Sequence, residues 1–152
     1  MKLLHLLPLL LIFTLGACQE SEDHDDDDEL LIQYPDQSES VGPFSDAVRV
    51  GHILYLSGSI GVAPGEGLVE GGIQEETRQT LENISARLEK YGSSMNEVVK
   101  CTVMLADIDE WGAMNEVYTT FFPDHKPARS AFGASGLALN SRVEIECMAT
   151  VQ

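Results

Sequence analysis

The spacing of hydrophobic residues predicts two different elements in the middle of the chain. Between residues 73 and 91, apolar side chains recur every three or four positions, which is the period of an amphipathic helix with one buried stripe. Gly92 follows directly, as is typical of the residue that ends a helix. Residues 98–105 then form a run rich in apolar and β-branched side chains, which predicts a strand.

Shorter patterns on either side of these elements predict a hairpin and a second helix. Two strand-like runs within residues 47–57 are separated by Gly51 and His52, and such a short connection indicates a tight hairpin. Asp107 or Asp109 can cap a second helix. We expect one side of this helix to carry the apolar residues Trp111, Met114, Tyr118 and Phe121.

The last part of the chain combines an arginine with an alternating strand. Arg129 begins one strand-like run, and after a turn at residues 139–141 a second run alternates strictly between apolar and acidic residues. Because successive strand side chains point to opposite faces, Glu144 and Glu146 share one face and their apolar neighbours share the other. The complete order, β-β-α-β-α-β-β, predicts an α+β fold with two helices packed on one face of a mixed β-sheet.

The first 17 residues have the features of a signal peptide. Lys2 is followed by an apolar stretch at residues 3–15, which is too short for a comfortable membrane span. The stretch ends in Leu-Gly-Ala before Cys18, which resembles the lipobox of bacterial lipoproteins. We therefore expect cleavage before Cys18, lipid on that residue, and an exported, membrane-anchored protein on the periplasmic side or at the cell surface. An ordinary secretory signal and an uncleaved anchor are the alternatives.

Residues 18–33 are expected to form an acidic, disordered tether. Eight acidic residues lie between positions 20 and 29, and a block of like charges repels itself and stays extended. Weak metal binding with His24 and a surface-export signal are alternative interpretations of this segment. We expect the remaining residues, 34–152, to form one domain.

The net charge of the chain argues against nucleic acid as a ligand. The sequence contains 25 acidic and 9 basic residues, a formal net charge of −16. Without Lys2 and the eight acidic residues of the tether, 17 acidic and 8 basic residues remain, a net charge of −9. Binding to phosphate groups requires clustered lysine or arginine side chains. We therefore expect a small-molecule ligand and no nucleic acid.

The sequence contains no obvious set of residues for metal or nucleophilic catalysis. His52 and His125 are not spaced as metal ligands, so no metal site is predicted. Cys101 and Cys147 fall on the apolar parity of their strands, which favours two buried free thiols over a disulfide, although export would permit a disulfide. Arg129 and the carboxylates near it therefore remain as the candidates for chemistry.

Six short motifs in the domain resemble those of one protein family and occur in the same order. They are Gly42-Pro43-Phe44, Tyr55-Leu56-Ser57-Gly58, Thr80-Leu81-Glu82-Asn83-Ile84, residues 115–122, Pro127-Ala128-Arg129-Ser130 and Val143-Glu144-Ile145-Glu146. Together they resemble the RidA/YjgF family of reactive intermediate deaminases over residues 34–152. Each motif alone is weakly specific, but the ordered set is highly specific.

The resemblance implies a chorismate-mutase-like fold and a homotrimer with clefts between its subunits. It also implies hydrolysis of enamines and imines such as 2-aminoacrylate to 2-keto acids and ammonia, without a cofactor. An arginine at the position of Arg129 binds the substrate carboxylate in this family, and a glutamate at the position of Glu144 positions or activates water. The other pocket residues that the resemblance implies are Phe44, Ser57, Gly58, Asn115, Ser130 and Ala131.

Two positions depart from the pattern of the family, and one alternative function follows. Many members have cysteine where this chain has Ala131, and tyrosine where it has Phe44, so a phenolic hydrogen bond to substrate is lost. The alternative is a non-catalytic protein that binds small carboxylates or 2-keto acids through Arg129. Glu144 favours the deaminase, because binding a carboxylate gains nothing from a second negative charge nearby.

Overall fold

A seven-stranded mixed sheet forms the centre of the computed structural model, which describes residues 31–35 and 42–152. The strands, in chain order, are β1 (Ile32–Gln33), β2 (Ala47–Val50), β3 (Ile53–Leu56), β4 (Ser59–Ile60), β5 (Val62–Ala63), β6 (Gly67–Leu68), β7 (Val98–Leu105), β8 (Ala128–Gly133) and β9 (Val143–Thr150). The order in the large sheet is β1-β2-β3-β9-β7-β8, with β4 also paired to β9, while β5 and β6 form a small separate hairpin. Strands β7 and β8 are parallel, and β8 lies at the edge.

Two helices, α1 (Ile73–Lys90) and α2 (Trp111–Tyr118), cover the same face of this sheet. The fully buried side chains of α1 include Leu81, Ile84 and Leu88, and they pack in one core with strand residues such as Val103 and Ile145. The predicted α+β fold, with two helices on one face of a mixed sheet, is therefore confirmed.

The ends of α1 and the hairpin before it follow the predictions from the sequence. Gly92 comes just after the helix with φ +79°, a left-handed conformation that favours glycine. Strands β2 and β3 pair antiparallel on either side of Gly51, which has φ +56°. In β9 the predicted alternation is also present, because Val143 and Ile145 are buried and Glu146 is exposed.

The start of the second helix differs from the prediction. The Asp107 carboxylate accepts a hydrogen bond of 3.0 Å from the Asp109 N–H and so caps a short 3-10 turn, Ile108–Glu110, rather than α2 itself. Helix α2 therefore begins only at Trp111. Trp111 is 46% exposed, whereas Met114 and Tyr118 are buried as expected.

The N-terminal boundary of the folded part lies earlier than predicted. Strand β1 pairs antiparallel with β2, although residues 32 and 33 were assigned to the disordered tether on the basis of charge. The predicted signal peptide, Cys18 and the acidic run up to residue 29 lie outside the described residues. Within the two described ranges, no helix has the length and hydrophobicity needed to cross a membrane.

Cys101 and Cys147 form a disulfide, so the prediction of free thiols is wrong, while the prediction that both side chains are buried is confirmed. The antiparallel register of β7 and β9 places the two residues directly opposite each other, with their Cα atoms 4.1 Å apart. The bond joins positions 46 residues apart. In a chain-entropy description, closing a loop of this size stabilises the fold by about 4 kcal/mol.

Candidate active site

Arg129 lies on the edge strand β8, with its side chain held against helix α2. Its Nη1 donates a hydrogen bond of 2.6 Å to the Asn115 side-chain oxygen. The guanidinium carbon lies 4.5 Å from the ring centroid of Tyr118 and 5.8 Å from that of Trp111. A planar cation stacked on aromatic rings and bonded to an amide has a fixed orientation. The structure thus brings together Arg129 and Asn115, two of the predicted site residues.

A cavity of about 330 Å³ opens beside this arginine. Its polar lining consists of Asn115, Thr119, Lys126 and Arg129. Its apolar walls are Tyr118, Phe122 and Pro127. Both charged residues of the lining are therefore cations. A cavity of this size, with apolar walls and a few converging polar groups, suits a small anionic molecule.

Tyr118 forms a wall of the cavity and has a buried hydroxyl, although sequence reasoning did not assign this residue to the site. Its side chain is 5% exposed, and its hydroxyl has no hydrogen-bond partner among residues 31–35 and 42–152. Burial raises the pKa of Tyr118 to about 12, although the positive charge of Arg129 opposes this increase. The hydroxyl therefore stays protonated at neutral pH and can donate a hydrogen bond. The sequence could have indicated this role, because Tyr118 follows Asn115 by three residues and this spacing places both side chains on one helix face.

A second group of predicted site residues surrounds Glu144 on β9. A Cβ atom added to Gly58 would overlap the Glu144 carboxylate, so glycine at this position lets the carboxylate lie close to the backbone. The neighbouring Ser57 hydroxyl donates a hydrogen bond of 2.6 Å to the Ser45 carbonyl, and this bond holds the segment next to Phe44. The structure therefore places Phe44, Ser57, Gly58 and Glu144 in one region.

Two side chains of α1 hold the Gly58 segment in place. The Arg87 Nη1 donates a hydrogen bond of 3.1 Å to the Ser57 carbonyl. One turn earlier, the Asn83 amide donates to the carbonyls of Ile60, at 3.1 Å, and Val62, at 2.9 Å. A spacing of four residues puts both donors on the same helix face. These positioning residues were not recognised from the sequence as part of the site.

The two groups lie on opposite faces of the sheet. Arg129 is in register with Cys101, which pairs with Cys147, so all three side chains face the helices. Glu144 is three positions from Cys147 on the same strand, and its side chain therefore points to the open face. It also lies two strands away from the edge strand that carries Arg129. A single copy of the chain does not present both side chains to one small ligand.

The residues that follow Arg129 divide between the same two faces. Ser130 points to the open face, where the Lys100 Nζ lies 3.4 Å from its hydroxyl. Ala131 faces the helices and packs half-buried against the core. Of the histidines that the structure describes, His52 contacts the Val151 carbonyl. His125 contacts the Val98 carbonyl and packs edge-on against Phe122, a wall of the cavity.

Comparison with known proteins connects this arrangement to a family. The profile of the family described as endoribonuclease L-PSP matches residues 35–151, nearly the whole domain. The chain belongs to this family, the RidA/YjgF family. The family membership predicted from the six motifs is therefore confirmed.

Proteins of the RidA/YjgF family match most of the folded part of the chain. The 2-iminobutanoate/2-iminopropanoate deaminase of Mus musculus is 45% identical over 111 residues, which cover 72% of this chain and 82% of the relative. The human protein of the same name is 43% identical over 111 residues, which cover 72% of this chain and 81% of the human protein. Among solved structures, a putative endoribonuclease from Thermotoga maritima has 43% sequence identity to this chain and a TM-score of 0.71. The match covers 74% of this chain and 90% of that chain. The yjgF gene product of E. coli is 32% identical, with a TM-score of 0.70, over 74% of this chain and 91% of that chain.

Proposed function

We propose that this protein hydrolyses small 2-imino acids and their enamine tautomers to 2-keto acids and ammonia. The observation that carries the proposal is Arg129, oriented by Asn115 and aromatic rings at the mouth of a small cavity in an otherwise acidic domain. The names of the mouse and human relatives support the same reaction. In this reaction one water molecule adds across the carbon–nitrogen double bond, and the bond to nitrogen then breaks to release ammonia.

Arg129 binds the carboxylate of the substrate. Within the described part of the chain, Asn115 is the only hydrogen-bond partner of the Arg129 guanidinium group. The remaining N–H groups of this planar fork can therefore donate to a ligand. Two parallel charge-assisted hydrogen bonds fix the plane of a carboxylate and hence the position of the adjacent imine carbon. A protonated imine is already electrophilic, so positioning and a source of activated water are the main requirements.

Glu144 acts as the general base for the attacking water. Its carboxylate lies beside Gly58, and the Glu144 side chain is half-buried on the open face of the sheet. It accepts a proton from water as the oxygen bonds to the carbon of the protonated imine, and it then passes this proton to the nitrogen of the carbinolamine. The carbon–nitrogen bond breaks to release ammonia while the carbinolamine hydroxyl gives its proton to Glu144 and becomes the ketone oxygen.

A second copy of the chain completes the site, and we propose the homotrimer of the family as the assembly. The two groups of site residues face opposite sides of the sheet, so Arg129 of one copy must meet Glu144 of another. The open face also carries apolar side chains that neither helix covers: Tyr55 is 40% exposed, Phe132 is 48% exposed, and Met104 and Met148 are half-buried. An exposed apolar sheet face of this kind is typical of an interface between subunits.

Mixed assemblies of two inactive variants test this shared site. We expect Arg129→Ala and Glu144→Gln to be inactive alone and to regain activity when co-expressed. A site is intact when its arginine comes from a Glu144→Gln subunit and its glutamate from an Arg129→Ala subunit. Random mixing of equal amounts makes about a quarter of the sites intact, so we expect about a quarter of the wild-type activity. The measurement is imine hydrolysis by the co-purified mixture, with separately purified variants mixed at the time of assay as the control. No recovery in an assembly that contains both variants would contradict a site shared between copies.

Two other functions are less compatible with the described residues. The family description names an endoribonuclease, but RNA binding requires clustered cations, and the part of the chain from residue 30 has a net charge of −9. Simple binding of a 2-keto acid gives no role to a carboxylate that faces the site. A site that combines Arg129 of one copy with Glu144 of another therefore fits imine hydrolysis better than either alternative.

We also propose that the protein is exported and anchored to a membrane by lipid on Cys18. The lipobox-like residues before Cys18 support this proposal. The disulfide between Cys101 and Cys147 supports it independently, because disulfides persist in oxidising compartments and are rare in the cytosol.

Cell fractionation and thiol trapping test the location. We expect the full-length protein to fractionate with membranes and the Cys18→Ser variant to lose its lipid modification, seen by mass spectrometry. In cells lysed directly into a denaturing solution of an alkylating reagent, Cys101 and Cys147 should be unmodified until a reductant is added. Recovery of unlipidated wild-type protein with two freely reactive thiols would refute both the anchoring and the oxidising location.

A further inference from the structure

The cavity beside Arg129 contains a second cation that hydrolysis of a monocarboxylate imine does not use. Lys126 lines the same cavity as Arg129 and has an exposed side chain. The five remaining lining residues are neutral or apolar, so no acidic side chain of the lining offsets these two positive charges. In a chain with 25 acidic and 9 basic residues, two cations on one small cavity are a local reversal of the overall charge.

The ring of Tyr118 forms a neutral wall of this cavity, and the Arg129 guanidinium carbon lies 4.5 Å from the ring centroid. The cavity thus offers two positive charges and no acidic side chain in its lining, which suits a ligand with two anionic groups.

We propose that the substrates of this protein include imines of acidic amino acids, such as 2-iminoglutarate. Arg129 holds the carboxylate beside the imine, and Lys126 binds the distal carboxylate at the other side of the cavity. The two residues are three positions apart, so their Cα atoms are separated by at most about 11 Å, and two long side chains can converge on a five-carbon dianion within that span. This inference rests on the proposed function, whose substrate class it specifies.

The chemical step is unchanged by the distal group. Water adds to the imine carbon of 2-iminoglutarate, the carbon–nitrogen bond breaks, and the products are 2-oxoglutarate and ammonia. The distal carboxylate enters and leaves ionised and takes no part in bond making. A reaction that oxidises an acidic amino acid at its amino-bearing carbon must supply this substrate.

Binding of the product 2-keto acids tests the role of Lys126 without turnover. With the full-length protein, we expect calorimetry to give a dissociation constant about tenfold lower for 2-oxoglutarate than for 2-oxobutanoate, the effect of one partly exposed charge-assisted hydrogen bond. Lys126→Met should remove this preference by weakening the binding of 2-oxoglutarate far more than that of 2-oxobutanoate, and Lys126→Arg should retain it. Lys90→Met, at the far end of α1, is the matched control. Equal affinity of the wild-type protein for the two keto acids, or equal weakening of both by Lys126→Met, would overturn the inference.

Turnover separates this inference from the proposed function. Imines are produced in situ from L-glutamate and from L-2-aminobutyrate by amino-acid oxidases, and their disappearance is followed by trapping with semicarbazide. We expect Lys126→Met to lower kcat/KM about tenfold for the glutamate imine only. Hydrolysis of the aminobutyrate imine without hydrolysis of the glutamate imine would overturn the inference and leave the proposed function intact. Acceleration of neither imine would refute both.

Discussion

Replacement of Arg129 by alanine is expected to reduce kcat/KM for 2-iminobutanoate by about 100-fold or more, because two charge-assisted hydrogen bonds to the substrate carboxylate contribute about 3 kcal/mol. The variant also removes the stacking on Tyr118 and the bond to Asn115, so its thermal stability must be measured alongside its activity. The assay is the rate of imine loss relative to spontaneous hydrolysis.

Two further variants make the result for Arg129 specific. Arg129→Lys keeps the charge but loses the planar fork, and we expect an activity between those of the wild type and the alanine variant. Arg78→Ala removes an exposed arginine of α1 that is paired with Glu75 at 3.7 Å, and it should leave kcat/KM unchanged. If a folded Arg129→Ala protein kept its kcat/KM within threefold of wild type, carboxylate capture by this residue would be excluded.

The second large effect is expected from Glu144→Gln, which should lower kcat by about 100-fold to 1,000-fold with little change in the affinity for 2-oxobutanoate. Glutamine has nearly the same shape, so it can keep the close approach to Gly58 while losing the ability to accept a proton from water. The measurement pairs single-turnover kinetics with calorimetric binding of the keto acid.

Glu146→Gln provides the comparison for Glu144, because both residues lie on the same face of β9 and Glu146 is exposed. We expect this variant to have nearly wild-type kcat. Equal kcat values for Glu144→Gln and the wild type would show that the water is activated by another group. A matched loss of kcat and of keto-acid affinity would instead indicate a binding role for Glu144.

The errors of the sequence-based predictions have two physical causes. Asp107 or Asp109 is predicted to cap the second helix, but Asp107 caps a local 3-10 turn before α2, and Trp111 is exposed near Arg129. The apolar parity of Cys101 and Cys147 predicts buried free thiols, but the pairing of β7 with β9 places the two residues opposite each other. The first error is local, whereas the second depends on a contact between residues that are distant in the chain.

The amino-acid sequence by itself determined the helix at residues 73–90, the alternating strand β9 and the family, because local periodicity and short motifs encode these features directly. Only the tertiary structure decided that Cys101 meets Cys147, that Arg129 and Glu144 face opposite sides of one sheet, and that Lys126 shares a cavity with Arg129. Strand order and register set these relations. A shift of one residue in register would reverse every side chain of a strand, and no local pattern specifies which strand lies beside it.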